Sequence, residues 1–179
     1  MTSSIQPVLS TARLLLRPFL PTDADDVQRL AGEREIAENT LTIPHPYPDG
    51  AAAEWIATHA PAWAEGRLAT FAVTLAEEGT LVGAVGLDIH RADLRAELGY
   101  WIGKPWWSRG YATEAGHAVL EFGFGPLGLH RIMARHFLRN PSSGRVLQKL
   151  GMQREGVLRH HVLKWGTFED LAVYSVLAE

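Results

Sequence analysis

The chain has 179 residues, room for one compact domain with a substantial core and a squeeze for two. Its 17 basic and 20 acidic residues give a formal net charge of -3 and form no run of like charge, which argues against a nucleic-acid binder resting on a basic footprint. Without cysteine, a disulfide framework, a thiolate metal site and a cysteine nucleophile are all excluded.

The eight histidines form no His-Glu-x-x-His pattern, and no metal site is expected. No apolar stretch approaches the length of a membrane span, and Met1 to Ser10 lacks the basic start and apolar centre of a secretory signal. The expectation is a soluble cytoplasmic protein without membrane or nucleic-acid partners, folded as one domain over residues 1–179.

Arg13 to Phe19 reads as a strand closed by Pro18. Thr22 and Asp25 have the spacing of a capping box, and Val27, Leu30 and Ala31 supply the apolar stripe of the helix that follows. Three prolines between Thr42 and Gly50 mark a loop, after which Asp49 is placed to cap a second helix carrying Ala52, Ile56 and Trp63. Pro61 lies inside that pattern and predicts a kink or break.

Alternation from Phe71 to Leu75, a turn at Glu77-Glu78-Gly79 and a second run from Leu81 to Leu87 predict a hairpin. A third run sets Ala96, Leu98, Tyr100 and Ile102 on one face and Glu97, Gly99 and Trp101 on the other. The period then becomes helical from about Gly110, with Ala112, Ala115, Gly116, Val119, Phe122 and Gly123 along one side. Ile132 to Leu138 reads as a strand, Asn140-Pro141 as a helix start, and Val157 to Leu163 and Leu171 to Leu177 as an antiparallel pair turning near Gly166. The order is strand, two helices, three strands, helix, strand, helix, two strands.

Tyr100 to Ala115 carries the most chemistry, because a strand, a short basic loop and a helix N-terminus follow one another directly. A helix N-terminus offers unpaired amides and a partial positive charge, so such a loop can hold a phosphate or pyrophosphate. Gly110 lets the backbone approach closely and Arg109 adds a guanidinium; taken alone, the loop is more readily a tight turn with glycine there for sterics.

With its surroundings, the loop resembles that of the GNAT superfamily of N-acetyltransferases, and within it the RimJ/RimL-like branch. The family loop, Gln/Arg-x-x-Gly-x-Gly/Ala, falls on Trp107-Ser108-Arg109-Gly110-Tyr111-Ala112, with Trp107 departing from the general pattern in the manner of that branch. Further matches are Arg13-Leu14-x-Leu16-Arg17, Glu97 to Ile102, Asn140-x-x-Ser143, Leu147 to Met152, Glu155 to Arg159 and Asp170 to Ser175, so the likeness covers roughly residues 11–178.

The resemblance implies an α/β fold: a mixed, mostly antiparallel sheet of about seven strands, helices on both faces, and a V-shaped cleft between splayed central strands. It implies acetyl-CoA as cosubstrate, without a metal, and an amine acceptor attacking the thioester directly. Trp101, Ile102, Gly103, Trp107, Ser108, Arg109, Gly110, Tyr111, Ala112, Thr113, Asn140 and Ser143 are the residues it places on the CoA side, with a backbone amide of Ile102 or Gly103 facing the oxyanion. Glu97 is the expected proton acceptor for the amine, against the alternative of a surface carboxylate paired with a basic group.

Many relatives protonate the leaving sulfur with a tyrosine at the position that Leu147 holds here, so Ser143 is implied as the substitute. Asn140 is either a bond to the pantetheine arm or a plain helix cap, or both. His160 and His161, adjacent in a strand, point to opposite faces and are not expected to share a role. The tryptophans read as packing and pocket walls, with Trp55, Trp63 and His45 on the acceptor side.

The leading acceptor is a protein N-terminal α-amine; a small-molecule amine and a noncatalytic acyl-CoA-binding regulator are the alternatives. Relatives are often dimers and the last strands offer an edge for a homodimer, while a monomer stays open.

Overall fold

Each alternating run becomes a strand, and the strands join in one sheet. The computed structural model describes residues 5–179. The strands are β1 (Leu9–Ser10), β2 (Leu14–Arg17), β3 (Leu68–Leu75), β4 (Leu81–His90), β5 (Arg95–Ile102), β6 (Arg131–Phe137), β7 (Gln153–Lys164) and β8 (Thr167–Leu177). They lie in the order β1-β2-β3-β4-β5-β6-β8-β7, with β5 and β6 the parallel pair. The sheet therefore has eight strands where about seven are expected; the addition is β1, whose two residues pair with Leu15 and Leu16.

Period 2 sends alternate side chains to opposite faces, and each face has its own helices. Phe71, Val85, Leu87, Leu98 and Ile132 face helices α5 (Tyr111–Phe124) and α6 (Pro141–Lys149), meeting Val119, Phe122 and Leu147. Ala72, Ala84 and Trp101 face the other way, onto Val27, Leu30 and Ile56 of α1 (Ala24–Ala31) and α3 (Ala51–Ala57). The short helices α2 (Arg34–Glu38) and α4 (His59–Ala64) complete that layer.

The N-terminal helices start differently from expectation. Thr22 and Asp25 make no capping box; Pro21–Asp23 forms a 3-10 turn, and the Asp23 carboxylate accepts the Leu20 amide at 2.8 Å and the Arg17 guanidinium at 2.7 and 2.8 Å. A buried carboxylate gains more from a guanidinium than from an amide alone, so Asp23 turns toward the strand. Asp49 does not cap α3 either; Gly50, at φ 81°, stands at that position without a side-chain bond. The expected break falls at Thr58, because the Pro61 ring excludes the carbonyl four residues earlier, at Ala57, where α3 ends.

β7 is a free edge, but its register is irregular between Leu158 and Val162, where His160 takes φ 49°. With Arg154, Glu155 and Arg159 exposed along it, this edge has the features that disfavour strand-to-strand association. No helix among the described residues is long and apolar enough to cross a membrane.

Under the α1–α3 layer, His59 is buried against Trp55 and Phe19, with neither ring nitrogen hydrogen-bonded, and burial pushes it down to about 4. The unfolded chain takes up that proton near pH 6.5, so stability rises with pH between about 4 and 6.5. His59→Leu is expected to remove this slope, gaining about 3 kcal/mol over the wild type near pH 4 and little at pH 8, as measured by urea unfolding.

Candidate active site

β5 and β6 share only three registered pairs, Arg95 with Arg131, Ala96 with Ile132 and Glu97 with Met133, before they part. The edge of β5 from Leu98 to Ile102 therefore faces a gap. The Gly103 amide donates to the Val82 carbonyl at 2.8 Å, and antiparallel alternation then sends the amides of Gly99 and Trp101 to β4 and those of Tyr100 and Ile102 into the gap. Of the two expected oxyanion donors, Gly103 is thus already committed to the sheet. Ile102 faces the gap, and its carbonyl accepts the Trp107 indole N–H at 2.5 Å.

One cavity, about 630 Å³, opens on the α5–α6 side of this gap. Trp101, Ile102, Trp107 and Ser108 line it from the strand and loop, Gly110, Tyr111, Ala112 and Thr113 from the start of α5, and Asn140 and Ser143 from α6. Gly103 and Arg109 are not on its wall; the Arg109 carbonyl instead accepts the Arg13 guanidinium at 3.0 Å. Arg145 and Lys149 of α6 add positive charge to the wall, a contribution not read from the sequence, while Arg139, ion-paired with Glu169 at 2.7 Å, lines it together with Glu35 and Glu38.

The loop into α5 holds two left-handed residues, Ser108 at φ 62° and Gly110 at φ 84°. No side chain caps α5, so its first amides stay open to a ligand. A Cβ at Gly110 would meet only the tip of Arg13 at 3.5 Å. Arg13 also bonds Glu114 at 2.7 Å and lies 4.7 Å over the Tyr111 ring. Burial pushes the Glu114 carboxyl up, but bonds from Thr11 and Arg13 outweigh it and hold it below the ordinary range. Uncapped amides on an anchored loop, with Arg145 and Lys149 on the same cavity wall, fit a pyrophosphate-bearing ligand.

A second cavity, about 580 Å³, opens on the α1–α3 side. Glu97 lies on its wall with both oxygens bonded by the Arg135 guanidinium, at 2.8 and 2.9 Å, and Arg135 is also 3.4 Å from His161. Asp88, exposed on the same wall, stands directly opposite Glu97 in register. Arg135 and Asp88 escape a sequence reading because only strand pairing brings them to Glu97. His160 stacks on Phe168, apart from His161.

Tyr100 and Ser143 line both cavities. The phenol oxygen lies 2.7 Å from Ser143 Oγ, and burial pushes Tyr100 up to about 12, so the phenol keeps its proton. Asn140 Oδ1 accepts the Ser143 amide at 3.2 Å, so the capping bond is made by a residue that also lines the first cavity. Leu147 is fully buried in the core. Among the described residues no cluster of three or more His, Cys, Asp or Glu is arranged to hold a metal ion.

A family model described as an acetyltransferase (GNAT) domain matches residues 13–153. The chain is 34% identical to the uncharacterized N-acetyltransferase YoaA of Bacillus subtilis, with 96% of this chain and 97% of that protein covered. Over 41% of this chain and 38% of the other, it is 36% identical to the [ribosomal protein uS5]-alanine N-acetyltransferase of Escherichia coli. The solved structure of Mycobacterium smegmatis RimJ in complex with CoA-disulfide shares the fold, with a TM-score of 0.89, 24% identity, and 99% of this chain and 90% of that one covered.

Proposed function

The chain belongs to the GNAT family of acetyltransferases, and from that premise we propose that it is an acetyl-CoA-dependent N-acetyltransferase acting on the α-amine of a protein N-terminus. The observation that carries this reading is the meeting of two cavities at Tyr100 and Ser143, where β5 and β6 part. A two-substrate transfer needs such a passage. The local likeness to an enzyme named for a ribosomal-protein alanine favours the peptide acceptor, and implies a cytoplasmic site of action for this domain.

Acetyl-CoA supplies a thioester acyl donor when bound. The open amides at Tyr111, Ala112 and Thr113 hold its pyrophosphate, with Arg145 and Lys149 beside them. The Ile102 amide stands ready for a developing oxyanion. Glu97 takes the proton of the amine: the Arg135 fork uses one lone pair of each oxygen and leaves the other, while fixing the carboxylate's orientation. An α-amine of pKa about 7.7 to 8.0 needs little help to lose that proton. Asp88 adds negative charge where a cationic amine enters.

The reading is tested by thiol release from acetyl-CoA with a panel of N-terminal peptides, amino acids, polyamines and aminoglycosides. Turnover confined to peptides supports it, and Glu97→Gln is expected to lower kcat for them at least about tenfold. Turnover confined to small amines overturns the acceptor assignment. Tight CoA binding with no turnover anywhere points to a binding regulator.

A further inference from the structure

Glycine at position 99 has no explanation in the fold. Its φ is not in the left-handed region, so any residue fits its backbone. A Cβ built there meets nothing within 4 Å, whereas one at its cross-strand partner Gly86 would come within 2.9 Å of the Ala69 carbonyl oxygen and 3.1 Å of Thr70. Gly86 is therefore required by packing and Gly99 is not. Glycine in the middle of a strand weakens it, and one unneeded for packing or conformation marks a place where another molecule approaches the backbone.

The space above Gly99 is the second cavity. Glu97 and Trp101, its neighbours on the same face of β5, line that cavity on either side, and Tyr100 follows it in the chain. Gly86 and Gly99 stand directly opposite in register, so the floor of the cavity is bare peptide between Asp88–Glu97 on one side and Ala84–Trp101 on the other. An acceptor passing from the carboxylates toward Ser143 crosses this floor.

We propose that Gly99 is a specificity-determining residue of the acceptor cavity, seating the main chain of the acceptor's first residue against the bare sheet. This rests on the reading of the second cavity as the acceptor side. Bulk at position 99 occupies the seat without touching the cosubstrate cavity, whose wall does not include Gly99.

The test is Gly99→Ala and Gly99→Val, each followed by acetyl-CoA titration, thermal unfolding and initial rates on N-terminal peptides whose first residue is Gly, Ala, Ser or Val. Expected are unchanged folding, an acetyl-CoA Kd within about twofold of wild type, and a fall in kcat/KM of at least about tenfold for the valine variant. The loss should grow with the size of the peptide's first residue, and the alanine variant should lie between. Equal rates for all peptides in both variants would overturn the proposal, as would loss of acetyl-CoA binding or of folding in the alanine variant, which would make position 99 structural. If the wild type turns over only small amines, the peptide assignment falls by itself. The same variants are then read on the amine used, where unchanged kcat/KM overturns the role of Gly99 and a size-graded loss keeps it.

Discussion

Ser143→Ala is expected to lower kcat about 100-fold while the Kd for acetyl-CoA stays within about twofold, in stopped-flow and equilibrium measurements on the same preparation. A phenol pushed up to about 12, that of Tyr100, keeps its proton; either hydroxyl can donate in its 2.7 Å contact with Ser143 Oγ, and in the arrangement that would serve catalysis the phenol is the donor. The serine's own proton is then free to point into the neck between the cavities, where a leaving thiolate needs one. Tyr100 is thus a positioning residue. Tyr100→Phe is expected to cost about fivefold to tenfold in kcat, the worth of one neutral hydrogen bond, with little change in either KM. In the double variant Tyr100→Phe should cost almost nothing further, since its effect passes through Ser143. Full additivity of the two losses would show that Tyr100 acts some other way.

Gly110→Val is expected to weaken CoA binding at least about tenfold, because a β-branched residue at φ 84° costs roughly 1–3 kcal/mol and the loop relieves that strain by turning its amides away. Isothermal titration with CoA measures the loss. The fall in melting temperature should be small, since the strain is relieved in an exposed loop and no core side chain is moved. An unchanged CoA Kd would mean that the first turn of α5 is not the pyrophosphate seat.

Local signals whose partners lay within a few residues served the sequence reading at several positions, though not at Asp49, where Gly50 takes the cap of α3. The start of α5 at Gly110, the Asn140 cap and the break ahead of Pro61 each depend on a backbone conformation or a bond spanning three or four residues. What depended on distant partners was misread or missed. Thr22 and Asp25 look like a capping box, yet Arg17 on the preceding strand claims Asp23 and resets the turn. Glu97 reads either as a proton acceptor or as a carboxylate paired with a basic group, and only the pairing of β5 with β6 identifies that group as Arg135. Tyr100 reads as an ordinary inward strand residue, and only the approach of α6 gives its hydroxyl a role. Gly103 belongs to the same class, since the direction of an amide follows from register and not from residue identity.

The buried ammonium of Lys164, at the end of β7, donates to the carbonyls of Thr40 at 2.9 Å and Ile43 at 3.2 Å, two residues that overhang the acceptor cavity. The roof of that cavity is thereby fastened to a hairpin more than a hundred positions away in the chain, and because Asn39 and Thr40 line the first cavity as well, the same bond reaches both halves of the site. A change in the hairpin turn at Trp165 and Gly166 is therefore felt on the walls of both cavities at once, and on the proposed reading the choice of acceptor and the fit of the acyl donor are expected to evolve together.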